Sequence, residues 1–158
     1  QMCIRDSLFG AGGDSRLWNR IREKDGLSYS VYSSVQWNPV DENSEWAAMA
    51  IFAPQNRSKV ERAFKEELDL ALKGGFTEKE LVAGKKSLLN FRQLSRAQDA
   101  RIAAGWVSNL NLARTYADSA RVDAEISALS LDRVNEVFRR YIQPEALLTG
   151  LAGDFKGQ

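Results

Sequence analysis

Two neighbouring segments with β-strand composition precede a long run of helical periodicity, and this order limits the folds open to the chain. Residues 27–37 and 46–53 are rich in aromatic and β-branched residues, and the turn-forming stretch 38–44 separates them. The short connection predicts antiparallel neighbours. Helical patterns follow at about 57–73, 78–95, 98–113, 118–128 and 131–143, before a predicted last strand at 146–152. This order is typical of an α+β domain with an antiparallel sheet packed against helices.

Several boundaries of these elements carry local signals. Thr77 and Glu80 have the spacing of a capping box at the start of a helix. Asp14 and Ser15 are N-cap residue types, and a basic amphipathic helix is predicted to follow them to about residue 24. Gly26 stands where a left-handed residue would end that helix. In the strand that comes next, alternation places residues 27, 29 and 31 on one face and residues 28, 30 and 32 on the other.

The composition excludes several kinds of chemistry. The 158 residues include no histidine and a single cysteine, Cys3. A Ser-His-Asp triad, a Cys-His dyad, an HExxH zinc site and an internal disulfide are therefore impossible within this chain. The 22 basic and 21 acidic residues give a net charge of +1, so we expect no nucleic-acid partner. No stretch approaches the roughly 18 apolar residues of a membrane span, so we expect no membrane partner.

The first residues look unlike the rest of the sequence. Residues 1–7 show no pattern that connects them to the residues after them, so we predict a non-native or disordered leader at 1–7 and the domain at 8–158. Three predicted strands are few for an open sheet, so we expect that further strands precede this segment and that the domain is truncated at its N-terminus. Such a domain is expected to be marginally stable or to self-associate when isolated.

The stretch 12–34 contains the best candidates for a functional site. Arg22 falls in the last turn of the predicted basic helix, and Tyr29 falls just inside the following strand. A tight turn between them can point both side chains into one cleft, where they could donate hydrogen bonds to substrate carbonyls. Neither is a base at pH 7. A purely structural role also explains each residue, because arginine is favoured near a helix C-terminus and tyrosine is common in strands.

Two further features of the sequence have competing interpretations. The stretch GAGGDS at 10–15 could cradle a phosphate at a helix N-terminus, but it lacks the Lys-Ser/Thr of a P-loop and the GxGxxG spacing. The four tryptophans are interpreted as core or interface anchors and not as a ligand box. Their positions are Trp18, Trp37, Trp46 and Trp106.

The block GGDSRLWNRIREKDGLSY resembles the C-terminal homologous half of the pitrilysin/insulinase metallopeptidases, peptidase family M16. In this region the family has a glycine stretch, S-R-L, and then I-R-E-K-x-G-L-x-Y. The later FTEKEL and the end, ALSLDRVNEVFRRYIQPEALLTGLAGDF, also resemble that half, so the resemblance covers residues 8 to about 155. The matching positions in the block are Ser15, Arg16, Leu17, Ile21, Arg22, Glu23, Lys24, Gly26, Leu27 and Tyr29.

This resemblance implies a division of labour between two homologous halves that enclose a peptide. The zinc site, an inverted H-x-x-E-H with a distal Glu, belongs to the other half, in the same parent chain or in a separate subunit. This chain would hold no cofactor and would be inactive alone. Arg22 and Tyr29 would be its catalytic and substrate-binding residues, and Gly12 and Gly13 would contact the peptide. The resemblance also favours the periplasm. The alternative is a catalytically inactive scaffold or interaction subunit of the same fold.

Overall fold

The two neighbouring segments predicted to be antiparallel strands form a hairpin, and this hairpin is the sheet of the described chain. A computed structural model describes residues 2–154, apart from the side chains at positions 2, 3 and 5. Within these residues, strand β1 (Ser28–Gln36) pairs with strand β2 (Glu45–Phe52) and with no other strand. The inner face of the hairpin packs against helices, which confirms the α+β class with an antiparallel sheet on a helical layer.

Six α-helices and one π-helix accompany this hairpin in the described part of the chain. The π-helix (Trp18–Lys24) comes immediately before β1. All five helices predicted after the hairpin are present, and the capping box of Thr77 and Glu80 opens the second of them as predicted. The α-helices are α1 (Met2–Phe9), α2 (Arg57–Gly74), α3 (Glu78–Ser95), α4 (Asp99–Asn111), α5 (Tyr116–Ala128) and α6 (Leu131–Tyr141).

Helix α1 occupies most of the segment predicted to be a leader. Ile4 and Leu8 are buried and belong to the hydrophobic core. A Cβ atom added to Gly84 of α3 would come within 2.5 Å of Leu8, so the two helices cross closely at this glycine. The division into a leader at 1–7 and a domain at 8–158 stays a prediction.

An aromatic cluster connects the two ends of the described chain. The ring of Phe9 lies 5.8 Å from that of Trp46, 6.1 Å from that of Phe64 and 5.5 Å from that of Phe138, measured between centroids. Phe76 contacts Phe138 edge-on at 5.1 Å. Helix α1, strand β2 and helices α2 and α6 therefore meet at one point in the core, with aromatic pairs in the favourable tilted and edge-on geometries.

The predicted strand at 146–152 is wrong. Pro144–Ala146 forms a short 3₁₀ turn, and residues 147–154 have no regular structure. A segment of β-favouring composition becomes a strand only beside a partner edge, and this segment pairs with neither strand of the described hairpin. Leu148 is fully exposed as a result. In the same described residues, no helix has both the length and the apolar character that crossing a membrane requires.

Candidate functional site

The glycine-rich loop leads directly into the π-helix, but not through a side-chain cap. The buried Ser15 hydroxyl donates to the Gly12 carbonyl at 2.7 Å, and this hydrogen bond closes the turn at residues 12–15. The backbone is helical from Arg16, and the Ser15 carbonyl accepts the Asn19 N–H at 3.0 Å, so Ser15 occupies the predicted N-cap position. Among the described hydrogen bonds, its hydroxyl donates to the preceding turn and accepts none from the first N–H groups of the helix.

The chain turns from the end of the π-helix directly into β1. The Asp25 N–H donates to the Arg20 carbonyl, five residues earlier, at 3.1 Å, as the wider π turn requires. Gly26 has a φ of +60°, the left-handed conformation predicted for it. Leu27 then donates its N–H to the Ile21 carbonyl at 2.9 Å. The chain thus reverses within three residues and enters β1 beside the last turn of the helix.

Tyr29 is the extra residue of a β-bulge. Ser28 pairs with Phe52 and Ser30 pairs with Ile51, so no residue of β2 stands opposite Tyr29. The Ser28 hydroxyl lies 2.8 Å from the Ser30 carbonyl oxygen and 2.6 Å from the Ile51 carbonyl oxygen, and so bridges the irregularity. Bulges of this kind redirect a side chain and are common beside active sites.

The bulge also overturns the predicted faces of β1. The residues at 27, 29 and 31 were expected to share one face, but Val31 is buried whereas the Tyr29 side chain is 82% exposed. Strict alternation holds only in a regular strand, and one inserted residue shifts the side chains that precede it to the other face. Tyr29 consequently projects from the sheet into open space.

Arg22 and Tyr29 lie side by side, as the tight turn between them predicts. The Arg22 Cζ atom is 4.9 Å from the centroid of the Tyr29 ring and 4.0 Å from the centroid of the Trp18 ring. The carboxylate of Glu23 is 3.6 Å from Arg22 Nε. In the part of the chain that the structure describes, no hydrogen bond uses the Arg22 guanidinium or the Tyr29 hydroxyl. Arg22 therefore forms an ion pair with Glu23, but its N–H groups and the Tyr29 hydroxyl have no hydrogen-bond acceptor among the described residues.

The other two arginines of this region are already engaged. Arg16 donates to both carboxylate oxygens of Glu80, at 2.6 and 3.0 Å, and to the Gly75 carbonyl at 2.7 Å. Arg20 donates to Asp25 at 3.1 Å and to Glu66 at 2.7 Å. These bonds hold the π-helix against α2 and the start of α3, which gives Arg16 and Arg20 structural roles.

Glu80 is a carboxylate held in its charged form by its neighbours. Burial by itself would raise the pKa of Glu80, but the hydrogen bonds from Arg16 and Thr77 outweigh this effect and hold the pKa below its ordinary value. The same carboxylate caps α3 and binds Arg16. The start of α3 and the beginning of the π-helix are therefore fixed by one group.

Acid is expected to weaken this connection. A pKa that is lower in the folded chain contributes stability that is complete above the ordinary glutamate value of 4.5 and is lost as the pH falls through the lower folded value. The free energy of unfolding, measured by urea titration between about pH 3 and 7, should thus decrease on acidification, and less steeply in Glu80→Gln. The control is Glu78→Gln, an exposed residue of the same helical turn. Equal slopes for Glu80→Gln and the unaltered chain would contradict the prediction.

Gly12 and Gly13 lie in the loop that faces the start of α3, beside Glu80 and Gly84. Gly12 has a φ of +143°, which favours glycine. A Cβ atom at Gly13 would lie 4.0 Å from Trp18 Nε1, so this glycine borders the ring that contacts Arg22. Their contact with a peptide stays a prediction.

The described residues of this chain do not fit a zinc ion. A protein zinc site needs three or four ligands from cysteine, histidine, aspartate or glutamate. Histidine is absent from the sequence, and the described side chains include no group of three or more such residues that could hold a metal.

Two features of the site are not predicted from the sequence. The interpretation of Trp18 as an anchor covers its packing against the core but omits its contact with Arg22. The spacing of four residues, which places two helical side chains on one face, is the signal that indicates this contact. The bulge at Tyr29 has no comparable signal, because it depends on the pairing with β2.

Fold and site together define an α+β domain that presents free hydrogen-bond donors and, among its described residues, has no metal site. The model of the family described as "Peptidase M16 inactive domain" matches residues 6–88, and the chain belongs to this family. Two mycobacterial proteins, each named an uncharacterized zinc protease, from Mycobacterium bovis and Mycobacterium tuberculosis, are 26% identical over 145 residues. The match covers 89% of this chain and 32% of theirs, so the chain spans about a third of the relatives' length.

Solved structures share the fold. The peptidase M16 inactive domain from Pseudomonas fluorescens superposes with a TM-score of 0.75 and 20% identity, over 89% of this chain and 33% of that one. The periplasmic protease PqqL from Escherichia coli superposes with a TM-score of 0.63 and 18% identity, over 80% of this chain and 14% of that one.

Proposed function

We propose that this chain is the half of an M16-type zinc metalloendopeptidase that does not bind zinc, and that it binds peptide for a zinc-bearing half. The proposal rests chiefly on the pair formed by Arg22 and Tyr29. Their side chains are adjacent, no described group accepts a hydrogen bond from them, and a bulge directs Tyr29 away from the sheet. Family membership and relatives named zinc proteases support it.

The chemistry assigned to the pair is hydrogen bonding to peptide carbonyls. The Tyr29 phenol donates to the oxygen of the scissile carbonyl, where negative charge develops during hydrolysis. Arg22 presents several N–H donors and a fixed positive charge, and it binds a neighbouring carbonyl of the same peptide or orients Tyr29. Neither residue needs to accept a proton. A donor that binds more strongly as charge develops lowers the barrier and does not merely hold the substrate.

The zinc-bearing partner supplies what this chain lacks. It is either another part of the same polypeptide or a separate subunit, since this chain spans about a third of its curated relatives. When bound in that partner, zinc would activate water and polarise the scissile carbonyl. The described residues of this chain contribute the opposite wall of the peptide site, with Gly12 and Gly13 beside it.

Mixing experiments test the proposal. The purified chain alone should bind no stoichiometric zinc and should cleave no peptide, because it has no histidine. Hydrolysis should appear when a histidine-bearing M16 half is added, measured with a fluorogenic peptide and by zinc analysis. Arg22→Gln in this chain should lower kcat/KM about ten- to a hundredfold, the range expected for losing a charged hydrogen bond.

The matched control is Arg62→Gln, which removes an exposed arginine of α2. It should leave kcat/KM nearly unchanged. Full activity with Arg22→Gln would remove Arg22 from the site. A mixture that never hydrolyses peptide, although the two halves bind each other, would favour the scaffold subunit instead.

Two lesser assignments accompany this proposal. Similarity to a protein named a periplasmic protease supports a periplasmic location for this chain. The phosphate-binding alternative gains no support, because Arg16, the first basic residue after the glycines, is bound by Glu80 and Gly75.

A further inference from the structure

We propose that Trp18 is a positioning residue that holds the Arg22 guanidinium in the orientation used to bind peptide. This inference rests on the function proposed above. Trp18 lies in the block that carries the family resemblance, between the S-R-L and I-R-E-K segments, and is not one of the matching positions of that block. Its contacts with Arg22 and with the core support the role.

The indole ring of Trp18 is a fixed surface on which the guanidinium lies. Trp18 is half-buried and packs against the hydrophobic core, so the core determines where the ring stands. Arg22 follows four residues later on the same helix, and its Cζ atom is 4.0 Å from the ring centroid. The Tyr29 ring approaches the same guanidinium at 4.9 Å. Two aromatic rings therefore hold a long side chain that would otherwise sample many rotamers.

This mode of fixation occupies none of the Arg22 N–H donors, and the Glu23 carboxylate, 3.6 Å from Nε, is an ion-pair partner beyond hydrogen-bond distance. A cation–π contact uses the face of the guanidinium, whereas its N–H groups point outward in the plane. A carboxylate partner has the opposite effect. Glu80 fixes Arg16 but occupies its donors at 2.6 and 3.0 Å. Trp18 thus orders Arg22 without competing with the substrate, and such preorganisation reduces the entropy lost when a peptide binds.

Two substitutions of Trp18 separate positioning from packing. In the enzyme assembled from this chain and a zinc-bearing half, Trp18→Leu should raise KM about three- to tenfold, which corresponds to a cation–π contact of intermediate exposure. The change in kcat should stay below about twofold. Trp18→Phe keeps an aromatic face and should restore most of the loss. The control is Trp37→Leu, since Trp37 is 63% exposed beyond the end of β1 and should not affect KM.

A spectroscopic measurement on the chain itself does not depend on activity. The ring current of Trp18 should shift the Arg22 Nε–H proton upfield in an NMR spectrum. In Trp18→Leu that shift should fall to the smaller contribution of the Tyr29 ring, whereas it should persist in Trp18→Phe and remain unaltered in Trp37→Leu. An unshifted proton in the unaltered chain would overturn the inference, as would a shift in Trp18→Leu as large as that in the unaltered chain.

The combination with Arg22→Gln distinguishes this inference from the proposed function. If Trp18 acts through Arg22, Trp18→Leu should have almost no further effect on KM once Arg22 is glutamine. If the double variant raised KM by the product of the two single effects, the two residues would act independently and the positioning role would be overturned. The positioning role would also be overturned if Arg22→Gln impaired the enzyme while Trp18→Leu left KM unchanged. In both cases the proposed function stands. If Arg22→Gln itself has no effect, Arg22 is removed from the site and the positioning role fails with it, whereas the proposed function fails only if the assembled halves do not hydrolyse peptide.

Discussion

Replacing Tyr29 by phenylalanine is expected to lower kcat at least about tenfold in the enzyme assembled with a zinc-bearing half. Loss of one oxyanion donor costs about 2.7–4 kcal/mol in a well-studied hydrolase, so a fall of a hundredfold or more would agree with full use of the phenol. The ring and its contact with Arg22 at 4.9 Å are retained in Tyr29→Phe. The change therefore isolates the hydroxyl group, and zinc content should stay the same.

Tyr32→Phe is the matched control for this experiment. Tyr32 lies on the same strand and is exposed, but its hydroxyl donates to the Met49 sulfur at 3.4 Å within the hairpin. Its loss should change kcat less than about twofold, because a weak exposed contact within the hairpin has no role in the transition state. An unchanged kcat in Tyr29→Phe would remove Tyr29 from the mechanism. An equal decrease in both variants would indicate a general effect on the hairpin.

The largest effect on stability is expected for Phe138→Ala. Phe138 is 2% exposed and contacts Phe9 and Phe76 at 5.5 and 5.1 Å between ring centroids. Removing a buried phenylalanine ring costs about 3–5 kcal/mol, since transfer free energy is lost and a cavity remains. Urea titration should show a decrease of this size in the free energy of unfolding, with an unchanged m-value.

The control for this prediction is Phe91→Ala. Phe91 lies on α3 and is 58% exposed, with Arg101 5.7 Å from its ring. Its loss should cost less than about 1 kcal/mol. If Phe138→Ala proved as mild as Phe91→Ala, the aromatic cluster would not be the centre of the core.

The elements that the sequence predicts well are those fixed by local interactions. Thr77 and Glu80 are three residues apart, and the capping box they form lets the start of α3 be predicted to the residue. The end of the π-helix at Gly26 is also predicted, because it depends only on the local backbone conformation of that glycine. The nearness of Arg22 and Tyr29 belongs to the same class, since a tight turn joins the two elements that carry them.

The features that the sequence does not predict depend on contacts between residues that are distant in the sequence. The pairing of Ser28 with Phe52 and of Ser30 with Ile51 creates the bulge at Tyr29, and no pattern within β1 alone reveals it. The segment at 146–152 has strand composition, but pairing and not composition decides whether a strand forms. The ion pair of Arg16 and Glu80 joins residues from two separate motifs, so no local pattern predicts it either.

The aromatic cluster has a consequence for synthesis on the ribosome. Phe9 belongs to α1 and Phe138 to α6, so the core contact between them closes almost the whole described chain into one loop. Closing a long loop costs entropy that only the completed contacts repay. The hairpin and α2 can form as they emerge, but the core that supports them is incomplete until α6 has left the exit tunnel. A nascent chain stopped before residue 131 would therefore expose Phe9 to solvent and to chaperones.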